Sequence, residues 1–126
     1  MTPLVLASSS RWRRELLERL GLPFTWTTPS IDETPRREES AETLVHRLAL
    51  GKANAVADAY SHHLIIGSDQ VAVFEGEILG KPADLSAARA QLARFSGRRV
   101  RFVTGLALID TQSARHWVCH EDHEVV

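Results

Sequence analysis

The stretch "LIIGSDQVAV", residues 64–73, decides how this chain is read. Leu64, Ile65 and Ile66 have the character of a buried strand. Gly67, Ser68 and Asp69 follow, and apolar residues resume at Val71. A carboxylate and an amide, Asp69 and Gln70, therefore interrupt an otherwise apolar run. A buried carboxylate without a partner is costly, so the position needs a purpose. In α/β sheets ligand clefts open beyond the carboxyl ends of strands, and a strand that carries an aspartate there fits such a cleft. Gly67 permits close backbone approach at the same place. A structural aspartate capping a local turn is the plainer reading of the same residue.

Working outward, "PLVLA" (residues 3–7) is a short apolar run bounded by Pro3 and serines, which predicts a buried strand. "RWRRELLERLG" follows, with Leu16, Leu17 and Leu20 on one helical face, Ser9 or Ser10 as N-cap and Gly21 as stop. "FTWTT" reads as a second strand and "PSIDETPRREES" as a polar, proline-bounded loop. A helix is expected from near Ser40 to near Tyr60, burying Leu44, Leu48 and Ala55 with Val45, Ala49 and Val56 beside them. "HLIIGSDQVAVFEGEILGKP" predicts two β segments turning at Glu75-Gly76. "DLSAARAQLARFSG" reads as a third helix, capped by Asp84 or Ser86 and closed by Gly97. "RVRFVTGLALID" and "ARHWVCHEDHEVV" suggest a long hairpin turning near Thr111–Ser113. Strands and helices mix, so the class is α/β with a mixed sheet.

At 126 residues the chain is one domain by length and long enough for a core without staples. A net charge of −1 lacks the basic excess of a nucleic-acid footprint. The single cysteine, Cys119, excludes an internal disulfide, fits a reducing compartment and is expected to pack in the core. "MTPLVLASSS" has no basic leader and too short an apolar run for a signal or a membrane span, so a cytoplasmic site is expected. "CHEDHEVV" suggests a strand cut while still running, as in a fragment or a shortened form whose last part is missing.

Several groups could carry chemistry. "ASSSRWRR" places small hydroxyl residues between a strand and a helix start, where free N–H groups and the helix dipole favour an anion. Arg13 lies in the first turn and could clamp a phosphate through two N–H groups. Serine capping with arginines in water explains the stretch equally well. "IDETPRRE" carries Asp32 and Glu33 on a loop, and such carboxylates matter if they face a third, because paired acids hold divalent metals through oxygen. Lys52 falls on or beside the apolar stripe of its helix, and Lys81 follows a strand in "GKP". Each needs a partner or an anion unless it snorkels to water. Among the six histidines, His116, His120 and His123 lack zinc-ligand spacing, and in a strand His123 faces opposite to the other two.

Taken together, "LVLASSSRWRRELLERLGLPF", "IDET", "LVHRLALGKANAVA", "LIIGSDQVAV", "ILGKP" and "ARAQLARFSG" resemble, in order, the Maf proteins, nucleoside triphosphate pyrophosphatases that remove non-standard or modified nucleotides. The "SxWRR" and "GSDQV" forms are most similar to the YceF-like subfamily, which hydrolyses 7-methyl-GTP. The resemblance implies an elongated α/β fold with a cleft between two lobes, here with the second lobe truncated, and often a homodimer. It implies hydrolysis between the α and β phosphates and a divalent metal cofactor, Mg²⁺ or Mn²⁺. On this chain it makes Asp69 the proton acceptor for water, with Glu33 helping Asp69 to hold the metal. Ser8, Ser10, Arg13, Lys52 and Lys81 would surround the triphosphate. Trp12 and Gln70 would select the base, since relatives directed at dTTP and UTP typically have arginine and threonine at those positions. Tryptophan offers the best face to the cationic 7-methylguanine ring, worth about 0.5–2 kcal/mol. The competing readings are a dTTP/UTP pyrophosphatase of the same family and a non-catalytic nucleotide-binding protein acting in division control. Arg11 stands where the family commonly has proline, a change that costs little at a helix start.

Overall fold

In the computed structural model the described residues are 2–79 and 84–125. They form β1 (Leu4–Ala7), α1 (Arg11–Arg19), β2 (Thr25–Thr27), α2 (Ala41–Ala57), β3 (Leu64–Phe74), β4 (Glu77–Leu79), α3 (Leu85–Phe95), β5 (Val100–Asp110) and β6 (Arg115–Val125). Every element expected from the sequence is present. The differences are local. α2 ends at Ala57 rather than Tyr60, and its inner face carries Ala53 where Ala55 was expected, Ala55 being exposed. Cys119 is exposed rather than packed in the core, because its strand lies at the sheet edge.

The strands build one mixed sheet in the order β2-β1-β3-β5-β6, with β4 also paired to β3. β1 runs parallel to both β2 and β3, as expected for strands joined through helical crossovers. β3, β5 and β6 are antiparallel in turn; a short turn joins β5 to β6, while β4 and α3 lie between β3 and β5 along the chain. The β3–β4 turn places Glu75 at φ 51° and Gly76 at φ 82°, the left-handed pair that a tight hairpin needs.

The register of β3 contains the feature that matters most. Its first residues, Leu64 to Gly67, pair with β1 on one edge. Its last residues, Ala72 to Phe74, pair with β4 on that same edge. Ser68, Asp69, Gln70 and Val71 therefore have no ladder partner on this edge among the described residues, although all four pair with β5 on the other. The sheet has a gap there, and Asp69 lies in it.

One face of the sheet is covered by α2. Val5, Ala7, Ile65 and Ile109 pack with Ala53 and Val56, and further along Val73 and Val103 pack with Ala41 and Val45. Each fully buried Val, Leu or Ile in this layer stabilises the fold by about 1.5–3 kcal/mol. Alternation puts Leu6, Ile66 and Leu106 on the opposite face, where they line a cavity with Leu16 and Leu17 of α1 and its C-cap Leu20, of which Leu16 and Leu20 are exposed. Further along that face Leu106 and Trp117 are about half exposed.

Two glycines set how closely α2 approaches. A Cβ on Gly67 would run into the carbonyl oxygen of Ala49, and one on Gly105 into that of Val45. Gly51 differs, since a Cβ there would reach only Ile31 Cδ1 at 3.4 Å. Gly67→Ala and Gly105→Ala should each lower the unfolding free energy by about 1–3 kcal/mol through forced backbone shifts. Gly51→Ala should be neutral or stabilising, since alanine is the better helix former by about 1 kcal/mol. Urea unfolding of the three variants checks the contrast.

Candidate active site

Asp69 projects from β3 toward α2, on the same side as Ile65 and Val73. Its cross-strand neighbour is Gly105, which offers no side chain to cover it. Lys52 reaches it from the inner stripe of α2, with Nζ donating to Asp69 Oδ1 at 2.9 Å. Both side chains are only 11% exposed, so this is a buried ion pair. The same ammonium lies 2.9 Å from Oε1 of Glu33, on the loop between β2 and α2. One lysine thus holds two carboxylates far apart in sequence. An ammonium has three N–H donors, so one remains for another acceptor.

The two carboxylates border a cavity of about 590 Å³. Glu33, Asp69 and Gln70 supply its polar side, and Leu44, Leu48 and Ile78 give it an apolar wall. Lys81 lies outside the described residues, two positions beyond the end of β4.

The loop that carries Glu33 is fastened to α2 by Arg47. Its guanidinium donates to both carboxylate oxygens of Glu39, at 2.7 Å from Nε and 2.8 Å from Nη2, and Nη2 also donates to the Thr34 carbonyl at 3.1 Å. Glu39 accepts a third bond from the Arg36 N–H at 3.0 Å. The Arg47 bonds, followed by the Arg36 N–H, draw the Glu39 carboxyl down to about 2. The Thr34 hydroxyl, and after it the Thr34 N–H at 3.0 Å, lower the Asp32 carboxyl as well. Asp32 thus shapes the turn, while Glu33 faces the lysine.

The serines form a different arrangement. Ser8 is buried and its Oγ accepts from the Ser10 N–H at 3.0 Å. Ser10 is the N-cap of α1, and its Oγ accepts from the Arg13 N–H at 3.3 Å. Both hydroxyl oxygens therefore serve the backbone of the turn. Arg13 lines a separate cavity of about 450 Å³ under α1, with Ser68 and Leu106. Trp12 is 60% exposed, with the Arg19 guanidinium 6.0 Å from its ring. Gln70 points away from Asp69, and its Nε2 donates to Oγ1 of its cross-strand neighbour Thr104 at 2.9 Å. The structure thus unites Asp69, Glu33 and Lys52, and seats Gln70 at the same gap. Ser8, Ser10 and Arg13 group around the start of α1.

Sequence reading missed Arg47, Glu39 and Thr104. An arginine set among the apolar residues of "LVHRLALGK" was the available signal for Arg47. Thr104 had none, because its role depends on the register of β5 against β3.

Glu33 and Asp69 offer hard oxygen donors, which suit Mg²⁺ or Mn²⁺. Mg²⁺ sites commonly use one or two protein carboxylates and complete their shell with water and phosphate. No group of three or more His, Cys, Asp or Glu side chains able to hold a metal occurs among the described residues. Glu33 and Asp69 are the two carboxylates that would hold such a cation. No helix among the described residues is long and apolar enough to cross a membrane.

Comparison with known proteins gives consistent results. A family model described as "Maf-like protein" matches residues 3–126. The chain is 65% identical over 126 residues to a Chromohalobacter salexigens protein named 7-methyl-GTP pyrophosphatase, a match covering 100% of this chain and 65% of the relative. A Pseudomonas savastanoi pv. phaseolicola protein of the same name is 58% identical over 118 residues, covering 94% and 62%. The chain thus spans under two thirds of the length of these relatives. Among solved structures, a HAM1 protein from Coxiella burnetii superposes with a TM-score of 0.60 at 17% identity, covering 98% of this chain and 72% of that one. The Ham1 protein of Staphylococcus aureus gives 0.63 at 16%, covering 97% and 70%. At such identity these two share the fold.

Two stability effects follow from this geometry. Lys52→Met leaves Asp69 buried without its counter-charge and should cost about 3–5 kcal/mol of unfolding free energy. Adding Asp69→Asn should recover part of that loss, as read by urea unfolding. Glu39 has a folded value below its unfolded one of about 4.3. Its contribution is therefore complete above that unfolded value and is lost as pH falls toward 2. Wild type should lose more stability than Glu39→Gln between pH 5 and pH 3, in urea titrations at each pH.

Proposed function

The chain belongs to the Maf family, and from that membership and the Asp69–Lys52–Glu33 cluster we propose that it is a nucleoside triphosphate pyrophosphatase acting on 7-methyl-GTP. The products are the nucleoside monophosphate and pyrophosphate. The observation that carries the reading is the buried aspartate at the gap in the sheet, tied to a lysine and facing a loop carboxylate. Phosphoanhydride hydrolysis asks little covalent help of a protein, and depends on positioning and on neutralising charge.

Asp69 accepts the proton of the attacking water, a role its position at the rim of the cavity supports. Lys52 aims Asp69 and offers its remaining N–H to a phosphate oxygen. Glu33 and Asp69 hold Mg²⁺ or Mn²⁺, which supplies neutralisation of the phosphate charge. Ser8, Ser10 and Arg13, at the start of α1, and Lys81 complete the phosphate surroundings. Trp12 and Gln70 select the base. The Gln70 amide, with its nitrogen bonded to Thr104, presents Oε1 as an acceptor for the N–H edge of a guanine. The relatives named 7-methyl-GTP pyrophosphatase support this choice of substrate. The protein works in the cytoplasm on a nucleotide substrate, without nucleic acid or membrane, and as a homodimer.

The test is pyrophosphate release with Mg²⁺ from 7-methyl-GTP, GTP, dTTP and UTP. Wild type should prefer 7-methyl-GTP, and Asp69→Asn should reduce its rate by at least roughly 100-fold, as expected on removing a general base. Preference for dTTP or UTP would keep Asp69 and remove Trp12 and Gln70 as selectors. Release from none of the four overturns the reading for this chain.

A further inference from the structure

The Arg47 fork lies outside the cluster that performs the proposed chemistry, yet it organises one member of that cluster. Glu33 belongs to a loop with no helix or strand of its own between Pro29 and Ser40. A loop carboxylate that is half exposed would ordinarily sample many positions. Here three fastenings lay the loop along α2. Arg47 grips Glu39 through two parallel N–H bonds, and it holds the Thr34 carbonyl through Nη2. Ile31 lies against α2 at Gly51. Thr34 immediately follows Glu33, so the Arg47–Thr34 bond fixes the backbone next to the carboxylate that meets Lys52.

The Glu39 end is firm. Its side chain is 5% exposed and that of Arg47 23%, so solvent competes little for this pair. A bidentate fork also fixes orientation, which a single-point lysine contact cannot do. α2 thereby presents two cations with different tasks. Lys52 touches the carboxylates, and Arg47 sets where one of them is.

We propose that Arg47 is a positioning residue, which with Glu39 fixes the loop so that the Glu33 carboxylate stands ready beside Asp69 for a divalent cation. This rests on the assignment of Glu33 and Asp69 as metal ligands under the proposed function.

The test is Mn²⁺ binding, with the metal alone, followed by the electron paramagnetic resonance of free Mn²⁺. Wild type, Arg47→Met, Arg47→Lys, Glu33→Gln and the double variant Arg47→Met/Glu33→Gln are compared. Arg47→Met should weaken Mn²⁺ binding roughly 10-fold, the scale seen when a partner of a metal ligand is removed. Arg47→Lys should fail to restore it, because one ammonium cannot bridge Glu39 and Thr34 in the same way. Combined with Glu33→Gln, Arg47→Met should have no further effect, since Arg47 acts through Glu33. Glu39→Gln, a milder change to the same fastening, should weaken binding in the same direction if Arg47→Met fails to fold. An equal loss in both backgrounds would mean general loosening of the fold and overturn the proposal, as would unchanged affinity in Arg47→Met. Either result leaves the proposed function standing. If Glu33→Gln alone binds as tightly as wild type, or wild type binds no Mn²⁺, the metal assignment fails and this proposal falls with it.

Discussion

The constraint on which the rest of this structure depends is a carboxylate set inside a sheet. Asp69 interrupts β3 between the stretch paired to β1 and the stretch paired to β4. Placing a carboxylate where its side chain is nearly buried is unfavourable unless a partner compensates. Lys52 is that partner, and it reaches Asp69 only because α2 lies very close to the sheet. That closeness needs Gly67 and Gly105, where any Cβ would meet helix backbone. The glycines, the helix position and the ion pair are therefore one arrangement. A buried pair of this kind is weak evidence for stability, because desolvation offsets much of the attraction. Its persistence is better explained by what the gap in the sheet is for.

The gap also explains the division of labour between the two faces. Alternation along β3 sends Asp69 toward α2 and Gln70 away from it, although the two are neighbours. An unbroken sheet would separate them by its full thickness. At an edge without a ladder partner both can border the same cavity, and both do. A single strand thus brings an acid and an amide to one cavity, the arrangement on which their proposed roles rest.

Much of this was legible in the sequence, and the residues show why. The apolar run broken by Asp69 and Gln70 located the central strand, and the glycine beside it marked close approach. Lys52 continues the spacing of Leu44 and Leu48, which left a partner, an anion or snorkelling to water open, and the folded chain supplies the partner. The turn at Glu75-Gly76 and the caps at Ser10, Ser40 and Asp84 follow from local backbone needs. Ala55 and Ala53 could not be told apart, because alanine carries too little apolar signal to mark one face. Cys119 was misplaced because an alternating strand does not reveal whether a further layer covers it. The Arg47 fork and the Gln70–Thr104 bond were invisible, since both join segments whose spacing only the folded chain fixes. The equal standing of cap and anion site at "ASSS" was resolved only in part. The oxygens of Ser8 and Ser10 accept backbone bonds, which is the capping role, and a helix start remains favourable to an anion.

Charge gives the last step. Among the described residues the carboxylates of Asp69 and Glu33 in the central cluster face one ammonium, that of Lys52. Left so, the cluster is net negative, and a triphosphate brings several more negative charges to the same cavity. Like charges at such separations in a partly dry site repel strongly. A protein that bound this polyanion by its own cations alone would be expected to surround it with lysine and arginine. Here, beside the cations proposed to surround the phosphates, two carboxylates line the near wall. Two carboxylates beside a polyanion become favourable once a divalent cation stands between them. The acidity of the cluster, taken alone an obstacle to the proposed substrate, is thus the best physical argument for the proposed metal.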